Sequence, residues 1–229
     1  MKTYVFAGAS SLIAQETAKL LQAKGHKVIG VSTKPKSYNY DEFYQIESYV
    51  FGNFPTIEED LHGLVYFPGN INLKPFHRLK PEEFTTDFTL NSLGAVAFTQ
   101  SYLNNLKSAE SASVVFISTV AVGVGLPFHS SISMAKGAIE GLTKALAAEY
   151  APSIRVNCVA PSLVNTPLGE KFLSTPEKVE LMQKRNPMNK VGAAMDIANA
   201  ISFLLNEESN WITGQILAVD GGMSTLKNG

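Results

Sequence analysis

Short apolar runs, separated mostly by helical patterns, limit what this 229-residue chain can fold into. The runs are continuously apolar and rich in β-branched residues, which is typical of strands buried on both faces of a parallel sheet. They lie at residues 3–8, 27–32, 48–52, 63–69, 113–118, 154–160 and 215–222, and helical periodicity covers residues 12–24, 81–106, 131–150 and 194–205. This alternation predicts right-handed crossovers and a doubly wound α/β fold with a parallel sheet.

Residues 33–63 break the alternation, because they are aromatic and polar and show no clear helical pattern. We therefore expect the layer of helices on the sheet to be reduced there. No repeat, low-complexity tract or linker divides the chain, and its 45% hydrophobic content is enough for one core. The sequence predicts a single domain over residues 1–229.

Composition excludes several classes of partner. Nineteen Lys and Arg residues balance twenty Asp and Glu residues without a basic block, so we expect no nucleic-acid partner. The single cysteine, Cys158, lies in an apolar run and can form no internal disulfide, which fits a reducing compartment and a small core residue. No signal peptide or membrane span is predicted. We expect a soluble cytoplasmic protein with no membrane partner and no metal site.

The first strand runs into a turn, AGASSLIA at residues 7–14, that opens a helix. A dinucleotide pyrophosphate would meet free backbone N–H groups and the positive end of the helix dipole there. Such glycine-serine turns are common in α/β folds, so the turn by itself is weak evidence for a nucleotide site.

Several further segments, taken in order with this turn, make the chain resemble the short-chain dehydrogenase/reductase family over residues 2–224. The turn resembles the family's TGxxxGxG, and YFPGN at residues 66–70 resembles its NNAG. Asn91 in NSLG, IST at 117–119 and Lys136 follow, and RVNCVAPSLVNTP at 155–167 and ITGQILAVDGG at 212–222 are the strongest matches. The resemblance implies a Rossmann-like fold and oxidoreductase activity.

The family's active site uses an asparagine, a serine, a tyrosine and a lysine. The resemblance implies that Asn91 orders a water relay, that Thr119 keeps the serine hydroxyl, and that Lys136 holds the nicotinamide ribose. The tyrosine that would exchange the proton falls on Ile132, which has none to offer. Among its neighbours His129 is the best acid or base at neutral pH; the alternative is that it is a solvated residue before the helix.

Lys136 itself allows two interpretations from the helix alone. It lies at the margin of an apolar stripe that contains Ile132 and Ile139, so its ammonium could extend along the stripe to reach water. The resemblance instead makes it a site residue whose usual partner has been replaced.

The resemblance also implies cofactor contacts, several of them altered. Leu12 and Ala14 replace two glycines that allow close approach to the pyrophosphate, and Pro68 removes a backbone donor beside the expected adenosine. The predicted cofactor-binding residues are Gly8, Ser10, Ser11, Leu12, Ile13, Ser32, Thr33, Lys34, Pro68, Gly69, Asn70, Lys136, Pro161, Val164 and Thr166.

The turn after the second strand, Ser32 to Lys34, carries no acid to hold the ribose hydroxyls of NAD and offers one ammonium to a 2′-phosphate. NADP(H) is therefore favoured over NAD(H), unless this is simply a solvated turn. If the cofactor binds, we expect it to bind weakly for this family.

Three functions remain open on these residues. The first is NADP(H)-dependent chemistry on the carbonyl or alcohol group of a small molecule, and the second is a silent dinucleotide-binding or scaffold protein. The third is reduction of an activated double bond, in which water could protonate the carbon.

Residues 168–191 are expected to form a lid, and their sequence does not indicate which ligand it covers. The long helical patterns predict a homodimer or homotetramer.

Overall fold

The computed structural model describes residues 1–227, and a seven-stranded parallel sheet forms its centre. The strands are β1 (Thr3–Ala7), β2 (Lys27–Ser32), β3 (Glu42–Gln45), β4 (Gly63–Tyr66), β5 (Ala112–Ile117), β6 (Ile154–Pro161), the short β7 (Val164–Asn165) and β8 (Gly192–Ala193), and β9 (Ile216–Val219). The sheet order is β3-β2-β1-β4-β5-β6-β9, and β7 pairs with β8 separately. The order reverses between β1 and β4, which is where doubly wound sheets open a crevice for ligands.

Helices cover both faces of this sheet. They are α1 (Leu12–Ala23), α2 (Pro81–Phe88), α3 (Gly94–Ser101), α4 (Leu103–Ser108), α5 (Ala121–Val124), α6 (Ser130–Tyr150), α7 (Pro176–Lys184) and α8 (Ala194–Leu205). Apolar residues of α1 and α8 form one core with one face of the strands, and those of α3, α4 and α6 form a second core on the other face. Within residues 1–227, no helix is both long enough and apolar enough to cross a membrane.

The doubly wound parallel sheet predicted from the sequence is confirmed, with one strand wrong. Residues 48–52 form bends and turns, and Val50 and Phe51 in them are exposed. The third strand is instead β3, which pairs with β2 at the edge of the sheet and is only partly buried. An edge strand needs no continuous apolar run, so EFYQ gave no signal in the sequence. No helix forms between residues 33 and 62, as expected for a reduced layer of helices.

The helical pattern predicted over 81–106 is broken in a way that shapes the site. A wide turn of π-helix, Thr89–Leu93, separates α2 from α3, and Asn91 lies inside it. Such π-turns insert one extra residue into a helix and are frequent at functional sites. Asn91 is fully buried at this irregularity.

Candidate active site

The turn between β1 and α1 leads into a helix whose first turn has no side-chain cap. Gly8 has φ of 75°, and its N–H donates to the carbonyl of Val31 at 2.9 Å. The Ser11 side chain, at the N-cap, makes no capping hydrogen bond to α1. The first turn of this 12-residue helix therefore presents its N–H groups, with the positive end of the helix dipole, to the end of the sheet. This arrangement suits an anionic group such as a pyrophosphate.

Pro68, in the turn after β4, lies directly against this loop. A Cβ added to Gly8 would lie 2.9 Å from both the backbone nitrogen and the Cδ of Pro68, so only glycine fits under the proline ring. The two loops therefore meet at the crevice between β1 and β4. The absent N–H of Pro68 removes one donor from the place where the loops meet.

The end of β2 brings Ser10, Ser32 and Lys34 together. The buried Ser32 hydroxyl donates to Ser10 Oγ at 3.1 Å and accepts the Lys34 N–H at 3.0 Å. The Thr33 N–H donates to the hydroxyl of Tyr49 at 3.2 Å. The corner thus contains hydroxyls and the exposed Lys34. An exposed ammonium beside hydroxyl groups can bind an anionic group.

Lys136 does not extend to water. Its side chain is only 6% exposed, and Nζ donates to the carbonyl of Ile117, at the end of β5, at 2.8 Å. Burial lowers the pKa of Lys136 to about 8. Ile132, one helical turn earlier, is 4% exposed, so this position on α6 is dry and apolar.

Gly69 brings Lys136 and Asn91 to one place. A Cβ on Gly69 would lie 2.9 Å from Asn91 Oδ1 and 3.2 Å from Lys136 Nζ. The loop after β4, the π-turn and α6 therefore converge on one polar spot, at the carboxyl ends of the central strands. Asn91 Oδ1 is buried there and meets no hydrogen-bond donor within residues 1–227.

The remaining hydroxyl and imidazole candidates are engaged nearby. Thr119, just after β5, is partly buried, and its Oγ1 accepts the Ala121 N–H at 3.3 Å. The ring Nδ1 of His129 lies 2.8 Å from the carbonyl of Pro127, and Ser133 Oγ donates to the carbonyl of Ala121 at 3.3 Å. His129 is thus held by its own loop at the start of α6.

Sequence reasoning missed a buried acid next to Asn91. Asp87 accepts hydrogen bonds from Asn70 Nδ2, from Ser131 Oγ at 2.5 Å and from Asn72 Nδ2 at 3.2 Å. Asn91 Nδ2 donates to Asn70 Oδ1 and to the carbonyl of Asp87, both at 2.8 Å. The available signal was spacing, because Asp87 precedes Asn91 by one turn.

The last predicted contacts lie at the end of β6 and after it, with the exception of Ile13 in α1. Pro161 accepts the Val120 N–H at 3.1 Å through its carbonyl, and Val164 pairs with Gly192. Thr166 turns the chain through its carbonyl, which accepts the Gly169 N–H at 2.9 Å. Ile13 lies in the first turn of α1, packed against the core that α1 and α8 share.

The predicted lid, residues 168–191, contains a short 3₁₀ turn (Glu170–Phe172) and α7. Lys171 Nζ donates to the carbonyl of Ile71 at 3.0 Å, so this segment reaches the loop after β4. An open cavity of about 390 Å³ lies against it, lined by Pro167, Leu168, Glu170, Lys171 and Ser174. The cavity lies beside the segment, and none of its lining residues is one of the predicted catalytic residues.

Comparison with known sequences gives consistent matches. A family model described as "Enoyl-(Acyl carrier protein) reductase" matches residues 50–224. A chloroplastic tropinone reductase homolog of Arabidopsis thaliana is 39% identical over 170 residues, which cover 74% of this chain but only about half (53%) of that protein. L-xylulose reductase of Bos taurus is 30% identical over 227 residues, covering 94% of this chain and 93% of that enzyme.

Solved structures share the whole fold. A short chain dehydrogenase family protein from Francisella tularensis superposes with a TM-score of 0.90 at 26% identity, covering 99% of this chain and 100% of that one. ElxO with NADP bound has a TM-score of 0.86 at 26% identity, covering 98% of this chain and 99% of that one.

Proposed function

Because the chain belongs to the short-chain dehydrogenase/reductase family, we propose that it is an NADP(H)-dependent oxidoreductase acting on the carbonyl or alcohol group of a small molecule. The observation that carries the proposal is the buried Lys136, which shares one polar spot with Asn91 and Gly69. Burying an ammonium is costly, and strongly shifted groups in a ligand crevice are typical of functional sites.

The residues at the crevice fit the cofactor. The uncapped first turn of α1 would hold the pyrophosphate, and Lys136 would hold the ribose next to the nicotinamide. Ser10, Ser32 and Lys34 would hold a 2′-phosphate, which favours NADP(H) over NAD(H). The NADP-bound structure of ElxO supports this choice of dinucleotide. When bound, the cofactor would supply or accept the pair of electrons.

Proton transfer is the step that this chain must perform without the tyrosine. Ile132 has no ionisable group, and the Nδ1 contact of His129 is to its own loop, whereas Lys136 lies at Gly69. We assign the proton to Lys136, because a pKa of about 8 leaves it able to give or take a proton near neutral pH. Thr119 would hold the substrate oxygen through its hydroxyl. Asn91 would face the same spot through its side-chain oxygen.

Two other functions have specific support. Ile132, Leu12 and Pro68 favour a silent protein that binds a dinucleotide or acts as a scaffold, because each removes a group that catalysis or phosphate binding ordinarily uses. The matched enoyl reductase model favours reduction of an activated double bond, where water could protonate the carbon. Binding without turnover would support the first alternative. Turnover of conjugated substrates but not of ketones would support the second.

The experiment compares cofactor binding with catalysis. NADPH and NADH are titrated into the purified protein by calorimetry, and reduction rates are measured over a panel of ketones and conjugated enones. We expect NADPH to bind more tightly and ketones to be reduced slowly. Ile132→Tyr should raise ketone reduction by about 100-fold, because it restores a general acid beside Lys136. Ile132→Phe is the matched control, since it adds the same ring without the hydroxyl.

Each result separates the alternatives. Equal gains in the Tyr and Phe variants would mean that shape, not proton donation, limits the rate. If Lys136→Met keeps the native rate, Lys136 is not the proton donor. If neither dinucleotide binds at millimolar concentration, the oxidoreductase proposal fails.

We also propose that the protein assembles as a homodimer or homotetramer and that residues 168–191 act as a lid over the substrate. Exposed apolar side chains on the long helices support the assembly: Met134 on α6 is 50% exposed, and Leu93 before α3 is 44% exposed. The hydrogen bond from Lys171 to the loop after β4 supports the lid.

A further inference from the structure

We infer that Asp87 is a positioning residue that fixes the direction of two buried side-chain amides, Asn70 and Asn91, so that Asn91 presents its carbonyl oxygen to the spot beside Lys136. Asp87 itself has no role among the predicted site residues. Its consequence for catalysis rests on the proposed function, but its consequence for Lys136 does not.

The carboxylate of Asp87 is enclosed by hydrogen-bond donors. Asp87 is 1% exposed and is surrounded by the donors Asn70, Asn72 and Ser131. An ionised carboxylate can only accept hydrogen bonds, and a buried one needs several donors to offset the loss of water. Asn70 must therefore turn its NH₂ group, not its oxygen, toward Asp87.

The direction then passes along the chain of amides. With its NH₂ group facing Asp87, Asn70 has only Oδ1 left to meet Asn91, and Asn91 Nδ2 donates to it at 2.8 Å. The second N–H of Asn91 donates to the carbonyl of Asp87 at 2.8 Å. Rotating the Asn91 amide by half a turn would place its oxygen against two acceptors. The carboxylate of Asp87 and its backbone carbonyl thus exclude the reversed orientation.

The oxygen of Asn91 is consequently directed at the site. Asn91 Oδ1 and Lys136 Nζ both lie about 3 Å from the position of a Cβ on Gly69, and are therefore no more than about 6 Å apart. At this distance, a carbonyl dipole whose negative end points toward Lys136 Nζ favours the ammonium form of Lys136. The same oxygen is an acceptor for the hydroxyl of an alcohol substrate.

Other groups near Lys136 do not substitute for this dipole. Its Nζ donates to the carbonyl of Ile117. The thiol of Cys158, on β6, would favour the ammonium form of Lys136 if it were ionised. Burial raises the pKa of the Cys158 thiol to about 12, so Cys158 is neutral at physiological pH. Glu140, one turn further along α6, accepts a hydrogen bond from Ser118.

The test removes the carboxylate and then restores it one position along the chain. In Asp87→Asn a neutral amide no longer excludes the reversed orientation of Asn70. In the double variant Asp87→Asn with Asn70→Asp, the acid and the amide are exchanged. Asn91 then again faces a group that can only accept hydrogen bonds, because position 70 carries a carboxylate. Ser131→Ala is the matched control, because it removes one donor to Asp87 but leaves Asn70 held.

The readout is the titration of Lys136, followed through the ¹³Cε signal of labelled lysine and assigned by its loss in Lys136→Arg. We expect the Lys136 midpoint to fall by about half a unit or more in Asp87→Asn, to stay unchanged in Ser131→Ala, and to recover in the double variant. At pH 8, kcat with NADPH and a ketone should fall by about twofold or more in Asp87→Asn, with KM changing less, because a smaller fraction of Lys136 then carries the proton, and it should stay unchanged in Ser131→Ala.

An unchanged midpoint in folded Asp87→Asn would overturn the inference, and so would an equal fall in Ser131→Ala, which would indicate general loosening. Asn70→Ala removes the middle amide but keeps the carboxylate of Asp87, so a fall of the midpoint in this variant cannot come from loss of that charge; the same variant provides the test if Asp87→Asn does not fold. The titration uses the protein without cofactor or substrate. A protein that turns over no substrate but shows the expected midpoints would refute the proposed function while supporting the role of Asp87.

Discussion

Replacing Lys136 with methionine should stabilise the protein at neutral pH and lose that advantage as the pH rises. Burial lowers the pKa of Lys136 from 10.5 to about 8, which corresponds to about 3 kcal/mol of unfavourable free energy for the buried ammonium. Below pH 8 the lysine is protonated in both states, so the folded protein carries this full cost. Between about pH 8 and 10.5 the unfolded state binds more protons, and the contribution of Lys136 to the free energy of unfolding rises with pH.

The measurement is the difference in free energy of unfolding between native protein and Lys136→Met, from urea unfolding at pH 7 and at pH 10. The variant loses the hydrogen bond to Ile117 at both pH values, so the comparison across pH isolates the titration. We expect the difference to move in favour of the native protein by about 2 to 3 kcal/mol at the higher pH. Lys144→Met is the control, because Lys144 is exposed on the same helix. A difference that stays constant with pH would show that Lys136 is not buried as an ammonium.

Three further predictions concern the cofactor and the assembly. Lys34→Ala should weaken NADPH binding by about tenfold and leave NADH binding unchanged by calorimetry, because only NADPH carries a phosphate for the ammonium. Leu12→Gly should tighten binding of both dinucleotides, since it removes a branched side chain at the pyrophosphate position; unchanged affinity would place the phosphates elsewhere. Light scattering should give a multiple of 24.8 kDa, and Leu93→Glu with Met134→Glu should reduce it to one chain.

The strands and helices that could be predicted are those whose environment is uniform. β1, β4, β5 and β6 are buried on both faces, so each reads as one apolar run. β3 could not be predicted, because an edge strand with half-exposed polar residues resembles a loop. The break between α2 and α3 was also hidden, since a π-turn keeps nearly helical periodicity while shifting Asn91 into the core.

The residues of the candidate site also differ in whether the sequence could predict them. The resemblance implies that Asn91 and Lys136 belong to one active site, because each lies in a family motif, but it gives Gly69 only as a cofactor contact. The Asp87 network could not be predicted, because its hydrogen bonds join a loop, a helix and the start of α6 that are distant in sequence. The direction of an amide is a property of the folded contacts, and a sequence pattern carries no information about it.

The cost of these buried groups bears on whether the site is silent. A scaffold needs only stability, and an apolar residue at position 136 would avoid the cost of about 3 kcal/mol that the ammonium carries. The polar chain from Asp87 to Asn91 likewise occupies volume that apolar side chains could fill. Both features meet at Gly69, in the crevice where the sheet order reverses. The family resemblance aligns Ile132 with the tyrosine, whereas the buried ammonium and the oriented amides beside it are present, which favours a site with a different proton donor over a site that has lost its function.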